Sequence, residues 1–303
     1  MTWLAYRQFR AQAALAALTT IAIVILLVAT HQAIASDPSN LSTFQQSVRL
    51  LGTALVGIPA LLGAFWGAPL VAREFEAGTH LLAWTQSVTR TRWLATKLVL
   101  TGIVAIAATA VFSAVLTWWS GPLDRIGNRI GTANFGQRGI VPIGYTLFAI
   151  TLGTLLGTVL KRTLPAMAAT LGSFFIIRFV VQLAIRPHLF NPVSLAGPTR
   201  AFGSTDSTSP TSGAWILSSK TVDATGHVVS SSDNTLADAC ALTRSSIQAD
   251  FAACANKLGI RDIVTMHPAN RFWALQTYET AIFVGLALAL AALCFRSVSR
   301  RHT

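Results

Sequence analysis

Apolar runs alternate along this chain with short, mostly basic interruptions. Six runs stand out: 13–30, 50–72, 98–119, 140–160, 164–185 and 280–295. A bilayer core about 30 Å thick takes roughly 20 apolar residues in a helix. Inside hydrocarbon, every backbone N–H and C=O has to be satisfied within its own segment, which selects helices. The pattern therefore predicts six transmembrane helices. The last run is the shortest and needs flanking residues to complete its span. Pro59 removes a ladder bond from the second run and predicts a kink there. Ahead of the first run, Trp3, Leu4, Tyr6 and Phe9 interleave with Arg7, Gln8 and Arg10, which predicts an interfacial amphipathic helix over 1–12.

Two stretches break the alternation. Residues 73–97 are too polar to span and too apolar for a linker. They read as a short helix, a turn around Gln86–Thr89 and a second helical piece entering the third span through Trp93. Residues 187–277 are rich in Ser, Thr, Gly, Asp and Asn. Within them, 215–222, a turn at Ala224-Thr225-Gly226 and 227–230 predict a hairpin. Asn234 is a candidate cap for a helix over 235–258. The region is long enough for a small α+β domain, and Phe272, Trp273 and Tyr278 mark the return to the headgroup layer.

Composition changes the picture in one direction. The chain has 303 residues, 52% hydrophobic and 11% charged, where a soluble domain carries roughly a quarter charged residues. Its mean hydropathy is +0.56. The net charge of +12 could point to nucleic acid, but Lys and Arg sit in small groups between apolar runs, as membrane topology requires. Those groups predict a cytoplasmic N-terminus and C-terminus. Arg7 and Arg10, then Arg73, Arg90, Arg92 and Lys97, then Lys161 and Arg162, and finally Arg296, Arg300 and Arg301 fall on one side. The second outer loop, with Arg125, Arg129 and Arg138, is more basic than this rule favours. Arg7, Arg10, an apolar run and Ala33-Ile34-Ala35 also resemble a cleavable signal peptide, although the run is long for one.

Three cysteines are present. Cys240 and Cys254 fall in the outer region, where oxidation is permitted. On one unbroken helix they would lie about 21 Å apart, too far to bridge. The helix therefore breaks, near Ser245-Ser246, or the thiols stay free. Cys294 lies in the last span.

Chemical motifs are mostly absent. There is no phosphate-binding G-x-x-x-x-G-K-[ST] and no H-E-x-x-H, and no G-x-S-x-G, so no metal site or catalytic residue is expected, and no cofactor in this chain. None of the six apolar cores contains Asp, Glu or His, so the proton relays of many transporters are not evident and transport energy would come from elsewhere. The one deep charge is Arg178, about 12 Å from the outer end of the fifth span. Gln182 lies four residues on, sharing its face. The pair either lines a translocation path or belongs to a snorkelling arginine. Gly63 and Gly67, and Gly153 and Gly157, are small-residue pairs that allow helices to approach closely, within one subunit or across a dimer.

The sharpest pattern is Arg73-Glu74-x-Glu76-x-Gly78-Thr79, followed by Gln86-Ser87-Val88-Thr89-Arg90-x-Arg92 and then Lys97. It resembles the loop between the second and third spans of ABC-2 type export permeases. Ala68-Pro69-Leu70-Val71-Ala72-Arg73-Glu74 and Gly139-Ile140-Val141-Pro142 look like an actinobacterial branch of that family. The resemblance implies a coupling loop over 73–97 that docks on a separate ATPase, with Arg73, Glu74, Glu76, Gly78, Thr79, Arg90 and Arg92 as coupling residues. It further implies two copies of an ABC ATPase subunit, which would hold ATP and Mg, a second permease copy or homologue, and residence in a bacterial plasma membrane. An outer region of about 90 residues exceeds what many relatives carry.

The expectation is thus an all-α polytopic membrane protein with six transmembrane helices, an N-terminal interfacial helix and a small α+β extracytoplasmic domain between helices 5 and 6. Its segments are 1–12, 13–186 with the loop 73–97, 187–277, and 278–303 with a basic tail. It would be an exporter permease in the lipid bilayer, not an enzyme and not a nucleic-acid binder. The rival is a non-transporting anchor or sensor whose outer domain binds a ligand or partner.

Overall fold

The computed structural model describes residues 18, 21–22, 25, 28–29, 56–78, 89–120, 130–131, 135–198, 211–228, 254 and 256–299. The expected interfacial helix over 1–12 and Thr79 lie outside these residues. So do most of the first run, residues 50–55 of the second, Gln86–Val88 and Cys240. The protein is mostly helical. Among the described residues, four helices are long and apolar enough to cross a membrane. The chain divides into two units, one made of 1–121, 133–186 and 274–303, the other of 122–132 and 187–273.

In the helical unit, α1 (Ile58–Leu62), a π turn (Gly63–Gly67) and α2 (Pro69–Glu76) follow one another. Pro59 lies close to residues before 56 that are outside the described ones, against which its expected kink would show. It falls in the first turn of α1, where a missing N–H breaks no helical bond. The distortion among the described residues is the π turn. α2 carries Arg73, Glu74 and Glu76 on its final turns and ends at Gly78, whose φ of +67° suits glycine. α3 (Arg90–Trp119) is a single helix of 30 residues, so the second helical piece of the 73–97 stretch is continuous with the third span. Thr89 starts it by accepting the Arg92 N–H, 3.4 Å away.

α4 (Val141–Leu160) is the hub. Of its most apolar window 67% is buried, against 22–28% for the other three long helices. Lys161 turns the chain with φ +54°, and α5 (Thr163–Val180) follows, extended by a π turn (Val181–Ile185) and a 3-10 turn (Arg186–His188). The last helix, α6 (Phe272–Ser299), begins eight residues before the apolar run at 280. The flanking residues that complete the span are therefore N-terminal, and they bring Gln276 and Glu279 inside the fold, both fully buried.

The two glycine pairs face each other inside one chain. A Cβ on Gly153 would lie 2.3 Å from the Gly63 carbonyl oxygen, one on Gly157 2.5 Å from that of Ala68, and one on Gly67 2.6 Å from that of Ile150. The backbones of the π turn and α4 touch directly, and no side chain fits between them.

The start of α4 is capped from α6. The Ile140 and Val141 N–H groups both donate to Gln276 Oε1 at 3.1 Å, and Gln276 Nε2 donates to the Phe135 carbonyl at 3.0 Å. Gly139 precedes this cap at φ +68°, and a Cβ there would sit 2.8 Å from Gln276 Oε1. The Gly139–Pro142 motif is thus a helix start shaped around one glutamine. Gln276→Leu would leave two donors and an acceptor buried without partners, at about 1–3 kcal/mol for each. A clear fall in the heat-unfolding midpoint of the detergent-solubilised protein is expected, and an unchanged midpoint would refute the cap.

The second unit holds a three-stranded antiparallel sheet in the order β1-β3-β2, with β1 Val193–Pro198, β2 Trp215–Val222 and β3 Arg261–His267. The expected hairpin is described only as far as Val228. Asp223 accepts from the Thr225 and His227 N–H groups, which holds its carboxyl below the usual range with the Thr225 hydroxyl as the main cause. Among the described residues one bridge, Val222 to Val228, is made beyond that turn. The ladder partner of β2 is β3, about 40 residues on, because β3 supplies Val264 and Met266 to a small core with Ala214 and Leu195. His267 is buried; its Nδ1 faces Arg271 Nη1 at 3.3 Å, so its Nε2–H donates to the Pro187 carbonyl at 3.1 Å. Burial lowers its pKa. Cys254 is disulfide-bonded and Cys294 is a free, buried thiol.

Candidate functional site

Two groups of charged residues stand out in the helical unit. The first gathers at the α2–α3 end. Glu74, on the last turns of α2, forms an ion pair with Lys97 of α3. Lys97 Nζ also lies 3.4 Å from the Leu70 carbonyl and 4.6 Å from the centre of the Trp93 ring. Beneath this pair, Val71, Trp93, Leu94, Cys294 and Val298 form an apolar cluster from three helices. Glu76 accepts a hydrogen bond from the Thr163 hydroxyl, at the first residue of α5. That hydroxyl and the Thr163 backbone N–H lower the Glu76 pKa, as a carboxylate at a helix N-terminus should behave. Both acidic residues of the motif therefore bind elements of their own chain. Arg73 and Arg92 are exposed, Arg90 half-exposed, and Lys161 and Arg162 exposed at the α4–α5 turn, and Glu76 is exposed among them.

The second group sits where α4, α6 and the turns that follow α5 meet. Arg186 donates to both oxygens of Glu279, from Nε at 2.6 Å and from Nη2 at 2.8 Å, and both side chains are fully buried. The Tyr145 hydroxyl donates to the same carboxylate. The Arg186 guanidinium also lies 4.3 Å from the Phe135 ring centre. Tyr145 packs edge-on against Phe283 at 4.6 Å and Phe174 at 6.2 Å. A bidentate arginine–carboxylate pair is the strong geometry for two charges out of water.

Arg178 is 3% exposed and rests 5.2 Å above the Tyr145 ring. Its Nε has no hydrogen-bond partner, and among the described residues no carboxylate pairs with it. Gly136 leaves it room, since a Cβ there would lie 2.9 Å from Nη2. Arg178 is thus buried rather than snorkelling. Gln182 is half-buried and lies in the π turn, which shifts it away from the four-residue spacing that would stack it on Arg178. Among the described residues the two make no hydrogen bond.

Sequence reasoning missed Arg186 and Glu279. Arg186 ends an apolar run just before a proline and reads as an interfacial residue. Glu279 falls one residue before the sixth run. The available signal was Gln276 and Glu279 at a spacing of three, a polar face continuing α6 backwards.

The model of a protein family described as ABC-2 membrane transporter related matches residues 1–186. No curated protein matches the chain.

Proposed function

We propose, for a chain that belongs to the ABC-2 membrane transporter related family, that it is the permease subunit of an ATP-driven exporter. ATP and Mg would be held, and ATP hydrolysed, by a separate ATPase subunit present in two copies. A second permease copy or homologue would complete the translocation path, in a bacterial plasma membrane with both termini cytoplasmic. Six spans, an interfacial helix over 1–12 and an extracytoplasmic second unit complete this reading, and Cys240 is the proposed partner of Cys254.

The observation that carries it is the double brace at the end of α2. Glu74 ties α2 to α3 and Glu76 ties it to α5. A docking subunit that engages the surface around Arg73, Gly78, Thr79, Arg90 and Arg92 would then push on three helices together. Arg73 and Arg92 are exposed beside Glu76, so the surface is more basic than acidic, and an acidic groove on the ATPase is the matching surface. Arg178 and Gln182 are the proposed lining residues.

The test is co-purification and stimulated hydrolysis with an ABC ATPase subunit co-expressed with this chain. Arg90→Ala combined with Arg92→Ala should reduce recovery of the ATPase at least about tenfold, the loss of roughly one charge-assisted contact, while the permease itself stays folded. Undiminished recovery and hydrolysis would sink the coupling surface. A second reading, a sensor, is favoured by one feature of the second unit, a cavity of about 380 Å³ lined by Gly197, Pro198, Asn256 and Arg261 among others. A sensor would keep ligand binding at the second unit when Glu74 and Arg90 are both replaced by Ala, and would need no ATPase.

A further inference from the structure

We propose that His267 is an acid-sensitive clasp on the two ends of the 187–273 segment: its neutral imidazole ties them together, and its protonation lets them part.

The segment begins at Pro187 and ends at Trp273. Two hydrogen bonds join its ends, each across 80 residues. The His267 Nε2–H donates to the Pro187 carbonyl at 3.1 Å, and Arg271 Nη1 donates to the Asn191 carbonyl at 2.6 Å. The same Arg271 nitrogen donates to His267 Nδ1 at 3.3 Å. A guanidinium has no acceptor, so that last contact exists only while Nδ1 keeps its lone pair. A proton placed there turns the acceptor into a donor facing a cation. Moving Arg271 aside gives up the Asn191 carbonyl and the Phe190 ring, whose centre lies 5.7 Å from the guanidinium carbon. Turning His267 towards water is blocked, because the residue has 0% exposure. Relief therefore requires one of the two ties to open.

The groups around the ring decide which way it titrates. β2 presents the Trp215 ring, 5.5 Å away, on the residue paired with His267 in the sheet. The turn after α5 presents the Pro187 carbonyl, and the titratable His188 follows it in the chain. β1 carries no titratable residue, and the one on β2, Lys220, pairs with Ile263, further along β3. Among the described residues the charged group at the ring is Arg271. The Pro187 carbonyl and the Trp215 face favour an imidazolium. Burial, the largest influence, and Arg271 oppose it, and the balance holds the His267 pKa below the ordinary 6.5. The unfolded chain then binds the proton more readily than the folded one. Stability is complete above about pH 6.5 and falls as the pH drops from there through the folded value. This clasp goes beyond the permease reading and does not rest on it.

The experiment follows amide hydrogen exchange by mass spectrometry in the full chain, in a neutral maltoside detergent, between about pH 8 and about pH 5, a range that spans histidine titration. Rates are corrected for the intrinsic effect of pH. Peptides covering β1 and β3 should lose protection severalfold on acidification, while those of α4, outside the segment, stay constant. His267→Gln offers a donor and an acceptor but no charge at any pH, and should keep β1 and β3 protected across the range. Arg271→Gln removes the facing cation and should show a smaller acid loss than the unaltered chain; it is the second variant if His267→Gln does not fold. A flat profile in the unaltered chain overturns the proposal. So does an equal acid loss in either variant, or an equal loss in α4, which would mark general unfolding.

Discussion

Glu279→Ala is expected to cost about 3–5 kcal/mol, the loss typical of removing one partner of a buried ion pair. The substitution strands the Arg186 guanidinium, which donates twice to that carboxylate, and the Tyr145 hydroxyl, which donates once. Neither can turn to water, since Arg186, Tyr145 and Glu279 are all at or below 1% exposure. Arg186→Met alone should be as damaging, because it leaves the carboxylate. The pair Arg186→Met with Glu279→Leu should recover most of the loss, since replacing both partners by apolar groups of similar volume is often neutral. Heat-unfolding midpoints in detergent of the unaltered chain, Arg186→Met, Glu279→Leu and the pair form a double-mutant cycle. If the two single losses simply add, Arg186 and Glu279 are not coupled and the ion pair carries no stability.

The second large effect is steric. Gly153→Val would push its Cβ to 2.3 Å from the Gly63 carbonyl oxygen and 2.8 Å from the Ala68 nitrogen. Both obstacles are backbone, so no rotamer change relieves them. The helices must separate, at a cost at the upper end for overpacking, about 3 kcal/mol or more, and the protein should be lost as a monodisperse species on size exclusion. Gly172 in α5 is the contrast, because nothing lies within 4 Å of a Cβ there. Gly172→Ala should be neutral or stabilising by up to about 1 kcal/mol, since alanine costs less conformational entropy in a helix. A tolerated Gly153→Val would show that α4 and the π turn are not in backbone contact.

Much of the helical frame was readable in the sequence because hydrocarbon leaves one solution for a long apolar run. The runs at 140–160 and 164–185 lie within a residue or two of α4 and of α5 with its following turns. The ends were less readable. α3 and α6 reach eight residues past their apolar runs on the N-terminal side, through polar sequence that hydropathy does not score as spanning. Burial of Glu279 is decided by Arg186, 93 residues earlier, and nothing local to either announces it. The same holds for β3, whose partners β1 and β2 are both distant in sequence. The glycine pairs announced a close approach but not its partner. The acidic residues of the Arg73–Thr79 motif read as a surface for another protein, whereas Lys97 and Thr163 occupy them within the chain. Spacing alone could not distinguish those alternatives.

The double tie on the end of α2 works as a yoke. Glu74 grips a helix 23 residues downstream and Glu76 one 87 residues downstream, so a load applied at the tip of α2 divides between two shafts instead of bending one. Cutting either strap would leave the other bearing the whole force. A protein so altered would still hold the end of α2 at one of its two attachments.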